Sequence, residues 1–141
     1  TRSSSVTGVQ TCALPICRQA ARTESRNLPT SSLRRLESDD SDWAAKELAT
    51  LRTKSPQTCK VALRQLHDSL QCRDFAENMV MEYRIAARVI NLPDFAEGVR
   101  AVIVDKDNNP KWNPATPEEV SDELIDSIFA PLPADKEWKP L

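Results

Sequence analysis

The sequence holds only two glycines, Gly8 and Gly98, in 141 residues. A doubly wound nucleotide-binding fold needs more than that for its tight phosphate turns, so that class is excluded. No apolar run approaches the roughly 20 residues of a membrane span. Neither sign of charge prevails: 19 basic residues stand against 21 acidic ones, a formal net charge of −2, so neither a nucleic-acid nor an anionic-membrane partner is expected. The length allows one domain. Four cysteines and one histidine are present. Cys12 and Cys17 are spaced C-x4-C rather than the C-x2-C common at zinc sites, and His67 lies far from both, so no metal site is expected. Cys12 to Cys17 is too short and too polar at its flanks for the apolar core of a signal peptide. Disulfides are therefore not expected, and a cytosolic or organelle-matrix compartment fits.

Residues 1–32 carry no helical or alternating apolar period. The string from Ser4 to Ile16 resembles a translated sequencing-adapter remnant, and 1–32 is read as a non-native or unstructured leader. Arg18, Arg22 and Arg26 leave a transit peptide as the alternative, although Glu24 interrupts the acid-poor pattern of that class.

From Leu33 onward the pattern is helical. Ser41 reads as an N-cap with Asp42 in the first turn, followed by Ala44, Leu48 and Leu51. Ser55 caps a second helix with Pro56 at its first position, where a missing N–H costs nothing. Cys59, Leu63, Leu66 and Leu70 form an apolar stripe there, predicting a buried face. Asp74-x-x-Glu77 opens a third helix to about Ile90, its buried side marked by Phe75, Met79, Ala86 and Ile90 and widened by Val80, Ala87 and Val89. Asp94-x-x-Glu97 repeats the capping logic for a fourth, with Phe95, Val99, Val102 and Ile103 as its stripe. Pro110, Pro114 and Pro117 stiffen a link around Trp112. Thr116-Pro117-Glu118-Glu119 predicts the start of a fifth helix, with Val120, Leu124, Ile125 and Ile128 on its apolar face. No segment reads as a strand. Residues 131–141 read as a loose, proline-rich tail.

The run Asp94-Phe95-Ala96-Glu97-Gly98-Val99-Arg100-Ala101, continued by Asp105-Lys106-Asp107 and by Pro110, Trp112 and Pro114, has the form D-F-x-E-G-V-R-A-x-x-x-D-K-D-x-x-P-x-W-x-P. It resembles the closing segment of 3-hydroxyisobutyryl-CoA hydrolases, a branch of the crotonase (enoyl-CoA hydratase/isomerase) superfamily, and departs from that pattern nowhere. Ser55-Pro56 and Met81-Glu82-Tyr83-Arg84 resemble the same family, and the likeness runs from Leu33 to Phe129. It implies an all-α fragment of about five helices over residues 33–130, the C-terminal helical part of a crotonase-like α/β fold whose core lies upstream. In that family the oxyanion hole and the hydrolytic carboxylates belong to the upstream core. The resemblance therefore implies a thioester hydrolase of valine degradation that acts on an acyl-CoA without metal or redox cofactor, with this piece inactive by itself. An enoyl-CoA hydratase of the same superfamily and a free-standing helical interaction module are the alternatives.

Among the residues able to do chemistry, Glu82 is the most tempting carboxylate, but Arg84 and Arg88 nearby favour a structural ion pair. His67-Asp68 could suggest a base held by an acid, yet neighbouring helix residues do not face each other. Ser55 is better explained as a cap than as a nucleophile. Cys59, on an apolar stripe, reads as an inert core thiol. The resemblance implies substrate-binding roles for Lys106 and Arg100, because the family's C-terminal helices border the CoA cleft and CoA carries phosphates that basic side chains pair. Trp112 reads as an anchor for the proline-rich link, with stacking on a base as the alternative.

Overall fold

The computed structural model describes residues 33–139. After a short helical stretch at 33–37, five α-helices follow: α1 (Asp42–Leu51), α2 (Pro56–Ser69), α3 (Phe75–Val89), α4 (Pro93–Val99) and α5 (Asp122–Phe129). A π-helical turn, Arg100–Val104, continues directly from α4. The described residues contain no strand.

The caps form where short-range chemistry puts them. Ser41 accepts from the Ala44 amide at 3.1 Å, Ser55 from Thr58 at 3.1 Å and Asp74 from Glu77 at 2.8 Å. Each satisfies an amide that the first helical turn leaves without a partner.

The core is built by three helices. Val61 of α2, Ile85 of α3, and Val120, Ile125 and Ile128 at and in α5 are buried together. Met81, Val89, Leu92, Leu124 and Phe129 pack around them. On α3 the inward positions are 81, 85 and 89, the i, i+4, i+8 row of one helical face. Arg64 is 5% exposed and binds α2 to α5. Its guanidinium meets Asp68 at 2.6 Å and Asp126 at 3.1 Å and lies 4.8 Å from the centre of the Phe129 ring. A buried arginine is tolerable because its donors find carboxylates and its plane finds an aromatic face. Arg88 closes the C-terminal end of α5 by donating to the Ile128 carbonyl at 3.3 Å and the Pro131 carbonyl at 3.0 Å. Arg84 pairs with Glu137 at 2.9 Å, and Glu137 also accepts from the Leu132 amide at 2.9 Å. Residues 131–137 are thereby bonded back onto α3.

Several expectations are corrected. The stripe on α2 faces outward: Leu66 is 66% and Leu70 80% exposed, and Cys59 and Leu63 are half-buried. The inward face is instead Gln57, Val61 and Arg64, because α2 turns toward the carboxylate of Asp126 and the carbonyl of Val120, to which Lys60 donates at 2.8 Å. On α3, Phe75, Ala86 and Ile90 are exposed while Ile85 is buried. The fourth helix is capped at Leu92, which makes no side-chain capping bond, and Pro93 takes the first helical position. Asp94, expected as its cap, is buried and binds elsewhere. Val102 and Ile103 of its stripe are exposed. The fifth helix opens at Ser121, which accepts from the Leu124 amide at 3.2 Å, and not at Thr116. Thr116–Glu119 forms a single turn, within which Glu119 accepts from the amides of Ala115 and Thr116 at 3.0 and 3.2 Å. The capping glutamate thus does its work around a turn, and Ser121 with Asp122 and Glu123 behind it starts the helix.

Candidate functional site

The segment that carries the most constrained chemistry is the loop from Asp105 to Asn113. It leaves the π turn with the Asp105 amide still bonded to the Arg100 carbonyl at 2.8 Å, and the Asn108 amide returns to the Ala101 carbonyl at 3.0 Å. Lys106 and Asn108 hold positive φ values, 56° and 52°. Asparagine adopts that region with relative ease. Lysine does so rarely, and such a conformation persists where its surroundings fix it.

Arg100 supplies the fixing. Nε and Nη2 fork onto the two oxygens of Glu97 at 2.9 and 2.8 Å. Nη1 reaches Asp105 at 2.6 Å and Asp107 at 2.8 Å. Nη2 also reaches the Asn109 carbonyl at 3.3 Å. A guanidinium has five N–H donors, and these five bonds use them all. The pairing pushes the Arg100 pKa further up, through Glu97 first and then Asp107 and Asp105. It drives Glu97 down to about 2, through Arg100 first and then the Lys111 amide. Asp107 is also lowered, first by the Asn109 amide and then by Arg100.

The far end of the loop is pinned separately. The Lys111 amide donates to Glu97 Oε1 at 2.6 Å, and the Asn113 amide to Asp94 Oδ1 at 2.8 Å. Asp94 Oδ2 accepts from the Ser55 hydroxyl at 2.5 Å, so one buried carboxylate joins the start of α2 to the loop. Trp112 Nε1 donates to the Thr53 carbonyl at 3.1 Å, and its ring faces Gly98, where an added Cβ would lie 3.4 Å from Cη2. Trp112 is an anchor of the proline-rich link, as its setting in the sequence suggested. The Asn113–Pro114 peptide is cis.

The two implied substrate-binding residues therefore differ. Lys106 is exposed, near the start of the loop. Arg100 has its donors engaged and would have to release a carboxylate to meet a phosphate directly. The remaining candidates are structural. Glu82 accepts from Gln65 of α2 at 2.5 Å and not from Arg84 or Arg88, whose groups serve Glu137 and two carbonyls. Asp68 is taken by Arg64 one turn back, not by His67. Ser55 is the α2 cap, and its hydroxyl proton is committed to Asp94. Burial pushes the Cys59 thiol pKa up, away from the reactive thiolate. Among the described residues no cluster of three or more metal-ligating side chains occurs. Cys12 and Cys17 lie outside the described residues. Sequence reasoning missed Asp94 as a cross-link and the donor count of Arg100. The acidic positions 97, 105 and 107 around one arginine were visible, but nothing in linear order shows that they converge.

The chain resembles known proteins throughout this region. A family model described as enoyl-CoA hydratase/isomerase matches residues 15–129. A mitochondrial 3-hydroxyisobutyryl-CoA hydrolase of Xenopus tropicalis is 45% identical over 97 residues, 69% of this chain and 25% of that protein. The Dictyostelium discoideum protein of the same name is 40% identical over 101 residues, 72% of this chain and 26% of its own length. This chain thus spans about a quarter of the curated relatives that it matches. An enoyl-CoA hydratase structure from Rhodobacter sphaeroides 2.4.1 superposes with a TM-score of 0.66 at 38% identity, covering 71% of this chain and 30% of that one. A carnitinyl-CoA dehydratase structure from Mycobacterium thermoresistibile gives 0.70 at 26% identity, covering 86% and 36%. The helical architecture and the sequence agree with one assignment: the chain belongs to the enoyl-CoA hydratase/isomerase family.

Proposed function

We propose that this chain is the C-terminal helical part of an acyl-CoA thioester hydrolase that acts on 3-hydroxyisobutyryl-CoA in valine degradation. The observation that carries the reading is the unbroken run from Asp94 to Pro114, joined to 40% and 45% identity with hydrolases of that name. Lys106 is the residue proposed to meet a CoA phosphate, as an exposed point charge on a fixed loop. Arg100 supports the same site by holding Asp105 and Asp107 on either side of Lys106. The compartment proposed is the mitochondrial matrix in a eukaryotic source and the cytoplasm otherwise. No helix among the described residues is long and apolar enough to cross a membrane.

The 141 residues alone are proposed to be inactive, since they span about a quarter of the matched hydrolases. A thiol-release assay with 3-hydroxyisobutyryl-CoA tests this. No turnover is expected from the chain itself, and turnover is expected when residues 33–139 replace the matching segment of a complete hydrolase. Activity of the isolated chain, or a folded chimaera that does not cleave the thioester, would overturn the reading. The likeness to an enoyl-CoA hydratase structure at 38% identity is what keeps the hydratase as the second reading.

A further inference from the structure

We propose that Asp94 and Glu97 are positioning residues, which together hold loop 105–113 so that Lys106 is presented at one fixed place. The functional consequence rests on the reading of Lys106 as a CoA contact. The positioning itself does not.

Both carboxylates stand on α4 three residues apart, which puts them on one face of the helix. A carboxylate is acceptor-only with several lone pairs, so a single group can bind two chain segments at once. Asp94 is 4% exposed and joins Ser55 to the Asn113 amide. Glu97 joins Arg100 to the Lys111 amide. At the other end the Asp105 and Asn108 amides are held by carbonyls of the π turn. With backbone bonds at 105, 108, 111 and 113, the lysine at positive φ has little room to relax. A mobile loop loses conformational freedom when it binds an anion. A loop already held has lost that freedom on folding, and binds more tightly for the same contact.

The test is amide hydrogen exchange by NMR on the whole 141-residue chain, with a coenzyme A titration followed at the Lys106 amide. The variants are Asp94→Ala, Asp94→Asn and Glu97→Ala. Asn113 exchange should rise about tenfold in Asp94→Ala, and Lys111 exchange likewise in Glu97→Ala, with overall helicity unchanged. Asp94→Asn keeps the Oδ1 acceptor for Asn113 but takes away the acceptor of the Ser55 hydroxyl, so Asn113 exchange should stay near that of the parent while stability falls. Coenzyme A affinity should fall about three- to tenfold in both alanine variants. Unchanged exchange in both alanine variants would overturn the proposal. So would a loosened loop that binds coenzyme A as tightly as before. If coenzyme A does not move the Lys106 resonance of the parent chain, which spans about a quarter of the matched hydrolases, exchange alone decides the positioning, and the CoA reading is decided in the complete hydrolase. Should Asp94→Ala lose helix, Glu97→Ala still decides it, because that carboxylate lies outside the core.

Discussion

Ser55 and Asp94 meet in the interior across 39 residues of sequence, the hydroxyl donating to Oδ2 at 2.5 Å. The same oxygen of Ser55 accepts from the Thr58 amide. A helix cap and an inter-helix bond therefore share one side chain, and this bond fixes the start of α2 relative to α4.

Replacing Ser55 with Ala removes both bonds. Thr58 loses its cap and buried Asp94 loses a donor, a combined cost on the order of 1–3 kcal/mol. Urea unfolding followed by circular dichroism measures it. An unchanged midpoint would show that water replaces the hydroxyl at no cost.

The Glu97 fork should give the loop an acid limit. An unfolded glutamate titrates near 4.5, and Glu97 in the fold near 2. A depressed folded value means that the stabilisation is fully present above about pH 4.5 and is lost as pH falls toward 2. The Glu97 carboxyl carbon, followed by NMR, should titrate near the lower value, and Glu97→Gln should reduce the loop's acid sensitivity to the part that Asp107 contributes. A midpoint at 4 or above in the parent chain would mean that the fork is not populated in solution.

The outward face of α2 makes an opposite pair of predictions. Leu66→Lys with Leu70→Glu should leave stability within about 0.5 kcal/mol and reduce the binding of a hydrophobic dye. Val61→Ala, on the inward face, should cost on the order of 1–3 kcal/mol. Similar losses for both would place the leucines in the core.

Gly98 should accept Ala, since an added Cβ meets Trp112 at 3.4 Å, a normal contact, and alanine is the better helix former by up to about 1 kcal/mol. Leu at the same place has no such room and should displace the indole. The Trp112 Nε1–H signal, bonded to the Thr53 carbonyl, reports the outcome. An indole signal that is unmoved by Leu would remove Gly98 from the account of the loop.

In a complete hydrolase carrying this segment, Lys106→Met should raise KM and leave kcat nearly unchanged, because a remote phosphate contact binds ground and transition states alike. The loss should be about 1–3 kcal/mol and should shrink with added salt. Equal kinetics in parent and variant would assign Lys106 to the solvated surface.

Helix existence and most helix starts were determined by the sequence alone. Ser41, Ser55 and Asp74 each bond an amide three residues on, and such local chemistry is written in the order of residues. The run from Asp94 to Pro114 marked the candidate site in the same way. Tertiary structure decided which side of each helix turned inward. Leu66 and Leu70 point out, although their spacing is that of a core face, because Arg64 on the other side meets Asp126 of α5, 62 residues away. It also decided that Asp94 would tie segments together instead of capping its own helix, because its partners, Ser55 and Asn113, lie 39 and 19 residues off. A periodicity says that a face is apolar. Only the partner that arrives from a distant part of the chain decides whether that face is covered.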